Sequence, residues 1–199
     1  MVFHYDDRAK DYLCERDGKL GRYIKELGDI EREMQPDLFE ALANSIISQQ
    51  ISGKAAVAIY SRLKDVATEI SPEKIAVLPE SEIRQCGISQ RKAVYLKIAA
   101  QAIMTDELNL SRLRNLDNEA VIKALEKLPG IGRWSAEMIL IFSFGREDVL
   151  SYGDYGIRRG IMKLHSLPEL TKKQFGYYEN LYSPYGTIAS FYLWEIASR

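Results

Sequence analysis

The sequence predicts an all-α protein. Apolar residues recur at three- and four-residue steps, period-two alternation and Asn-Gly hairpin turns are absent, and the helix breakers fall between the apolar stripes rather than inside them. The first stripe is Phe39, Leu42, Ala43, Ile46 and Ile47, with Asp37 after Pro36 as its N-terminal signal. Ser52 or Gly53 opens the next, which turns Ala56, Ile59, Tyr60 and Leu63 inward. Ala93, Leu96, Ile98 and Ala99 form a third face, and Val121, Ile122 and Leu125 a fourth. Pro72, Pro79, Gly87, Pro129-Gly130, Gly153, Pro168 and Pro184 separate such segments, so the helices are expected to be short and joined by tight loops. No linker or low-complexity tract divides the 199 residues, of which 46% are hydrophobic, enough for a real core.

Composition narrows the chemistry. No stretch approaches the roughly 20 apolar residues of a membrane span. The segment Met1-Val2-Phe3-His4-Tyr5-Asp6-Asp7 lacks the plan of a signal peptide, so a soluble intracellular protein is expected, in the cytoplasm or nucleoid, or in the nucleus of a eukaryote. Cys14 and Cys86 lie far apart, and His4 and His165 are isolated, which leaves almost no ligands for a side-chain metal site, a cluster or a disulfide framework. The net charge of −1 gives no bulk attraction to nucleic acid. A nucleic-acid reading must rest on a local basic face and on main-chain N–H groups.

Two segments carry chemistry. Leu128-Pro129-Gly130-Ile131-Gly132 lies between two apolar-periodic helices. The proline ends the first helix, and the glycines permit backbone angles closed to other residues. The second helix begins Gly132-Arg133-Trp134-Ser135, and its unpaired N–H groups suit a phosphate, with Arg133 and Lys127 beside them. By itself such a turn is also an ordinary αα-hairpin. Downstream, Asp154 stands before a helix, between two glycines and two tyrosines. On local sequence it is an N-cap. A carboxylate held there as an anion could equally stabilise an oxocarbenium-like sugar as a base departs, and could orient the attacking water.

The string Leu128-Pro-Gly-Ile-Gly-Arg-Trp-Ser-Ala136 resembles the hairpin of the helix-hairpin-helix DNA glycosylase superfamily, and the resemblance runs from Asp37 to Trp194. The branch it is most similar to is the alkylbase type, 3-methyladenine DNA glycosylase II. The resemblance implies that Asp154 is the catalytic aspartate and that Trp134, at the family's spacing before it, is an aromatic of the base pocket. Bifunctional relatives carry a Schiff-base lysine in this neighbourhood, so Trp134 implies no lyase step, and no cysteine follows Cys86 to hold the cluster that endonuclease III relatives often have. The competing reading of Trp134 is core packing.

The resemblance further implies that Gln50 is the wedge filling the gap left by a flipped base. Lys54 beside it could meet a phosphate; each could instead be a solvated surface side chain. Gly130, Gly132, Arg133, Ser135 and Lys127 would meet the DNA backbone. Cationic alkylpurines stack well on electron-rich rings, so Tyr152, Tyr155, Tyr182 and Tyr185 join Trp134 as pocket candidates, with Trp194 from the last segment. Relatives tend to show Trp and Arg where Tyr182 and Gly186 stand, a departure that bears on substrate range. The resemblance also implies a Na+ or K+ on main-chain carbonyls at Leu128 and Ile131, with no other cofactor.

A monomer acting on double-stranded DNA with a damaged base is expected. Its lobes would be about 36–145, with the hairpin, and about 1–35 plus 146–199, with Asp154 in the cleft between them. The function expected is hydrolytic release of alkylated bases. The alternatives are the same chemistry on uracil, deaminated or oxidised bases, and a non-catalytic module that uses the hairpin to bind DNA.

Overall fold

The computed structural model describes all 199 residues. It is helical throughout: α1 (Asp7–Arg16), α2 (Gly18–Leu27), α3 (Leu38–Ser48), α4 (Gly53–Ala67), α5 (Pro72–Val77), α6 (Glu80–Gln85), α7 (Gln90–Met104), α8 (Leu110–Leu113), α9 (Asn118–Leu125), α10 (Arg133–Phe142), α11 (Tyr155–His165), α12 (Lys172–Tyr182) and α13 (Gly186–Ser198). Ten of these begin on an Asp, Ser, Asn or Thr whose side chain accepts a main-chain N–H of the first turn. Each cap satisfies a donor that would otherwise be orphaned, and is worth about 1 kcal/mol. The only extended pairing is an isolated antiparallel bridge between Val2 and Glu33. No helix is long and apolar enough to cross a membrane.

The chain divides into two compact units, Gln35–Ile139 and Met1–Met34 with Leu140–Arg199. In the first, α7 is central. It packs against α3, α5 and α6, and buries Ala93, Leu96, Ala99, Ala100 and Ala102. Ile98 corrects the sequence expectation: it is 42% exposed. At 100° per residue it lies well round the helix from Leu96 and Ala100, so an apolar residue there joins no inward face.

In the second unit, α13 packs against α11, α2, α1 and α12. It is buried on nearly every side from Gly186 to Leu193, which marks a central core helix. Its approach to α11 is set by Gly160, where an added Cβ would stand 2.3 Å from the Leu193 carbonyl oxygen. Only glycine allows that contact.

Candidate active site

Asp154 caps α11 with Oδ1 accepting the Ile157 N–H at 2.8 Å. The same oxygen accepts the indole N–H of Trp194 at 2.9 Å, from α13. Two donors from two helices therefore fix the carboxylate, which is 9% exposed. Trp194 is itself held by stacking on Phe142 and Phe191, each 6.0 Å away between ring centres. Gly156 makes room for the arrangement: a Cβ there would meet Trp194 Cδ1 at 2.8 Å and Asp154 Oδ1 at 3.2 Å. The glycine two residues beyond the aspartate is thus a requirement of the indole bond.

The tyrosines separate into different environments. Tyr155 is 69% exposed beside the aspartate. Tyr152 is half-buried, edge-on to Phe175 with the Arg158 guanidinium 5.3 Å from its ring centre. Tyr185 is half-buried against Tyr12. Tyr182 is fully enclosed, its hydroxyl donating to Asp17 at 2.8 Å. Burial beside that carboxylate drives its phenol well above the usual range. Tyr182 is therefore a core side chain, which corrects its place among the pocket candidates.

In the other unit the hairpin is a tight turn. The Leu128 carbonyl accepts the Ile131 N–H at 3.1 Å, Leu128 and Ile131 are buried, and Gly130 has φ +87. That positive φ, and the Tyr95 ring 2.5 Å from where a Gly130 Cβ would stand, make glycine necessary. Gly132 and Lys127 are exposed. Ser135 is 6% exposed, so its hydroxyl is not on offer to a DNA backbone. Arg133 is exposed but committed: its Nε donates to Glu137 at 2.9 Å, and its terminal nitrogens to both oxygens of Glu119. Two carboxylates offset its charge, which corrects the expectation of a free phosphate-binding cation. Trp134 is 46% exposed, one residue further on.

The loop from α3 to α4 reaches this hairpin. Gln49 Nε2 donates to the Gly130 carbonyl at 2.6 Å. Gln50 comes next, with an exposed side chain and φ +57, a left-handed backbone that non-glycine residues adopt at a cost. Lys54 is exposed in the first turn of α4.

Residues 43–180 match the model of the HhH-GPD superfamily of base excision DNA repair proteins. The chain belongs to this superfamily. Among HhH-GPD relatives, DNA-3-methyladenine glycosylase 1 of Schizosaccharomyces pombe is 34% identical over 196 residues, spanning 94% of this chain and 86% of that protein. The solved DNA-3-methyladenine glycosidase of Bacillus halodurans superposes with a TM-score of 0.90 at 34% identity, covering 99% of this chain and 92% of the other. A 3-methyladenine DNA glycosylase of S. pombe, solved in complex with abasic DNA, superposes with a TM-score of 0.82 at 34% identity, covering 94% and 95%. Gly186, where the sequence is expected to depart from HhH-GPD relatives, is closely surrounded. A Cβ there would meet Asp148 Oδ1 at 3.1 Å and the Leu150 main-chain nitrogen at 3.3 Å, so a longer side chain requires this segment to move. Sequence reasoning overlooked three contacts: the indole bond of Trp194 to Asp154, the side-chain bond of Gln49 to Gly130, and the bonds of the Lys92 ammonium to the Ile47 and Gln49 carbonyls at 2.8 and 2.6 Å. Only the glycine at 156 and the paired glutamines 49 and 50 offered any signal for them.

Proposed function

We propose that this protein is a monofunctional DNA glycosylase that flips a damaged base out of the duplex and releases it by hydrolysis, with alkylated purines of the 3-methyladenine type as substrates. The observation that carries the reading is the Asp154 carboxylate, held by Ile157 and Trp194 in a chain of this superfamily. As the base leaves with the electron pair of the N-glycosidic bond, positive charge grows on the sugar, and a fixed anion stabilises that transition state more than the ground state. Water then adds to the sugar carbon and gives up a proton to the carboxylate.

Gly130 and Gly132 meet the backbone phosphates with main-chain N–H groups, helped by the exposed Lys127 and Lys54. The Leu128 carbonyl, which already accepts one hydrogen bond, has a second lone pair for a Na+ or K+ shared with Ile131. Gln50 fills the gap in the stack. Trp134, Tyr152, Tyr155 and Tyr185 are the aromatics offered to the extruded base. A tryptophan at position 134 supplies no amine for a Schiff base, so the reaction stops at the abasic site. The protein acts as a monomer inside the cell.

A base-release assay on duplexes carrying alkylated, deaminated or oxidised bases tests the proposal. Release of 3-methyladenine well above the other lesions is expected, with no borohydride-trapped adduct on abasic DNA. Preferred release of another lesion overturns the substrate class, and a trapped adduct overturns the monofunctional assignment.

A further inference from the structure

Helix α7 carries two lysines that make the same chemical contact in different places. Lys97 Nζ donates to the carbonyls of Ala76 and Leu78 at 2.9 and 2.7 Å, closing the C-terminal end of α5. Lys92 Nζ donates to the carbonyls of Ile47 and Gln49 at 2.8 and 2.6 Å, closing the end of α3. Cations are favoured at such carbonyls, and one bond of this kind contributes modestly to stability. The two differ in the chain beyond the clamped carbonyls. Past those of Lys92 it turns into Gln50, exposed at φ +57.

The same stretch of α7 also supports the hairpin. Tyr95, three residues after Lys92, fills the space beside Gly130. Gln49 closes the triangle, since its main-chain carbonyl accepts from Lys92 and its side-chain amide donates to the Gly130 carbonyl. Burial strips part of the water from the Lys92 ammonium, which lowers its affinity for the proton, with the charge of Arg91 adding to the effect.

We propose that Lys92 and Gln49 are positioning residues for base flipping, forming a brace that holds the Gln50 loop in register with the hairpin. The inference rests on the reading of Gln50 as the wedge. Once the hairpin is fixed on a phosphate, the position of Gln50 along the duplex is set by the Gln49 bond to Gly130. Its backbone angle is held by the two carbonyls that Lys92 clamps. Without the brace the loop can relax from its left-handed turn, and the wedge arrives out of place.

Four variants test it: Lys92→Met, Gln49→Leu, Lys92→Arg, and Lys97→Met as a control that loses an equivalent helix-end cap. Single-turnover base release is compared on a fully paired duplex and on the same lesion in a bulge, where no partner must be broken away. Misplacing a reacting geometry by about 1 Å costs up to ~100-fold, so Lys92→Met and Gln49→Leu are expected to lose about 10- to 100-fold on the paired duplex. On the bulge they should lose less than about threefold, the unpairing cost being already met. Lys92→Arg should recover part of the loss, and Lys97→Met should lower the melting temperature without separating the two substrates. Equal losses on both substrates, or none, overturn the brace. A second arm needs no chemistry: 2-aminopurine fluorescence opposite an abasic analogue should rise with wild type and Lys97→Met but not with Lys92→Met. If wild type releases no base at all, the glycosylase reading fails while this arm still decides the brace.

Discussion

Asp17 and Asp154 are both N-cap aspartates of the same unit, 7% and 9% exposed. Around Asp17, donors occupy both oxygens. Oδ1 accepts the N–H groups of Lys19 and Leu20, and Oδ2 accepts the Tyr182 hydroxyl at 2.8 Å and faces His165 Nε2 at 3.1 Å. Around Asp154, the Ile157 and Trp194 donors converge on Oδ1. One carboxylate is surrounded so as to tie α2 to α11 and α12. The other receives a main-chain donor from α11 and an indole donor from α13 on the same oxygen. The same local pattern, an aspartate before a helix, thus acquires different surroundings according to where distant donors fall, and the proposed function gives chemistry to only one of the two.

Substitutions at the two aspartates should separate these roles. Asp154→Asn keeps an acceptor for the cap but removes the charge. It is expected to lower single-turnover base release by about 10²- to 10⁴-fold, with DNA affinity retained in a gel-shift titration. Release at the wild-type rate would make Asp154 a second Asp17, a structural cap. Trp194→Phe keeps the stacked ring and loses only the indole bond. Its kcat should fall roughly tenfold with KM little changed, as expected of an interaction that positions a reacting group. Asp17→Asn reverses the pattern. Chemical denaturation should show a loss of about 1–3 kcal/mol, because buried donors are left poorly matched, while the excision rate stays near wild type.

The smallest effect is a pH dependence at the Asp17 cluster. Burial lowers the pKa of His165 below its ordinary value, with Asp17 opposing but not overcoming it. The unfolded chain takes up this proton near pH ~6.5, and the folded chain only at lower pH. Stability is therefore full above that value and declines as the pH falls through the folded pKa. Melting temperatures between pH 7.5 and 5.5 should drop for wild type and flatten in His165→Gln, with no matching change in the rate of base release.

The parts of the molecule that were legible in sequence are those set by local physics. Apolar spacing marked α3, α4, α7 and α9, and Asp37 and Ser52 cap the helices they were expected to open. The hairpin shows its glycines because a positive φ leaves no alternative at Gly130. Contacts that join distant residues were not legible. Trp194 lies 40 residues from Asp154, and no local rule aims an indole at a carboxylate. Tyr182 has the composition of a pocket wall, but its burial depends on α2, which sequence cannot place beside it. Lys92 and Gln49 bond main-chain carbonyls, and such partners leave no complementary residue type to notice. Arg133 reads as a free cation until Glu119 and Glu137 are seen around it.

The contact at Gly160 has a consequence for how activity can be lost. With α11 and α13 touching backbone to backbone there, the helix that Asp154 caps and the helix that bears Trp194 have no slack between them. One extra methyl group at position 160, six residues along the chain from Asp154, would prise the pair apart; if Asp154 acts as proposed, a shift of about 1 Å is enough to slow base release by orders of magnitude. A descendant of this gene could thus keep the aspartate, the tryptophan and the hairpin, bind DNA as before, and be silent as an enzyme. An inventory of its functional residues would find nothing missing.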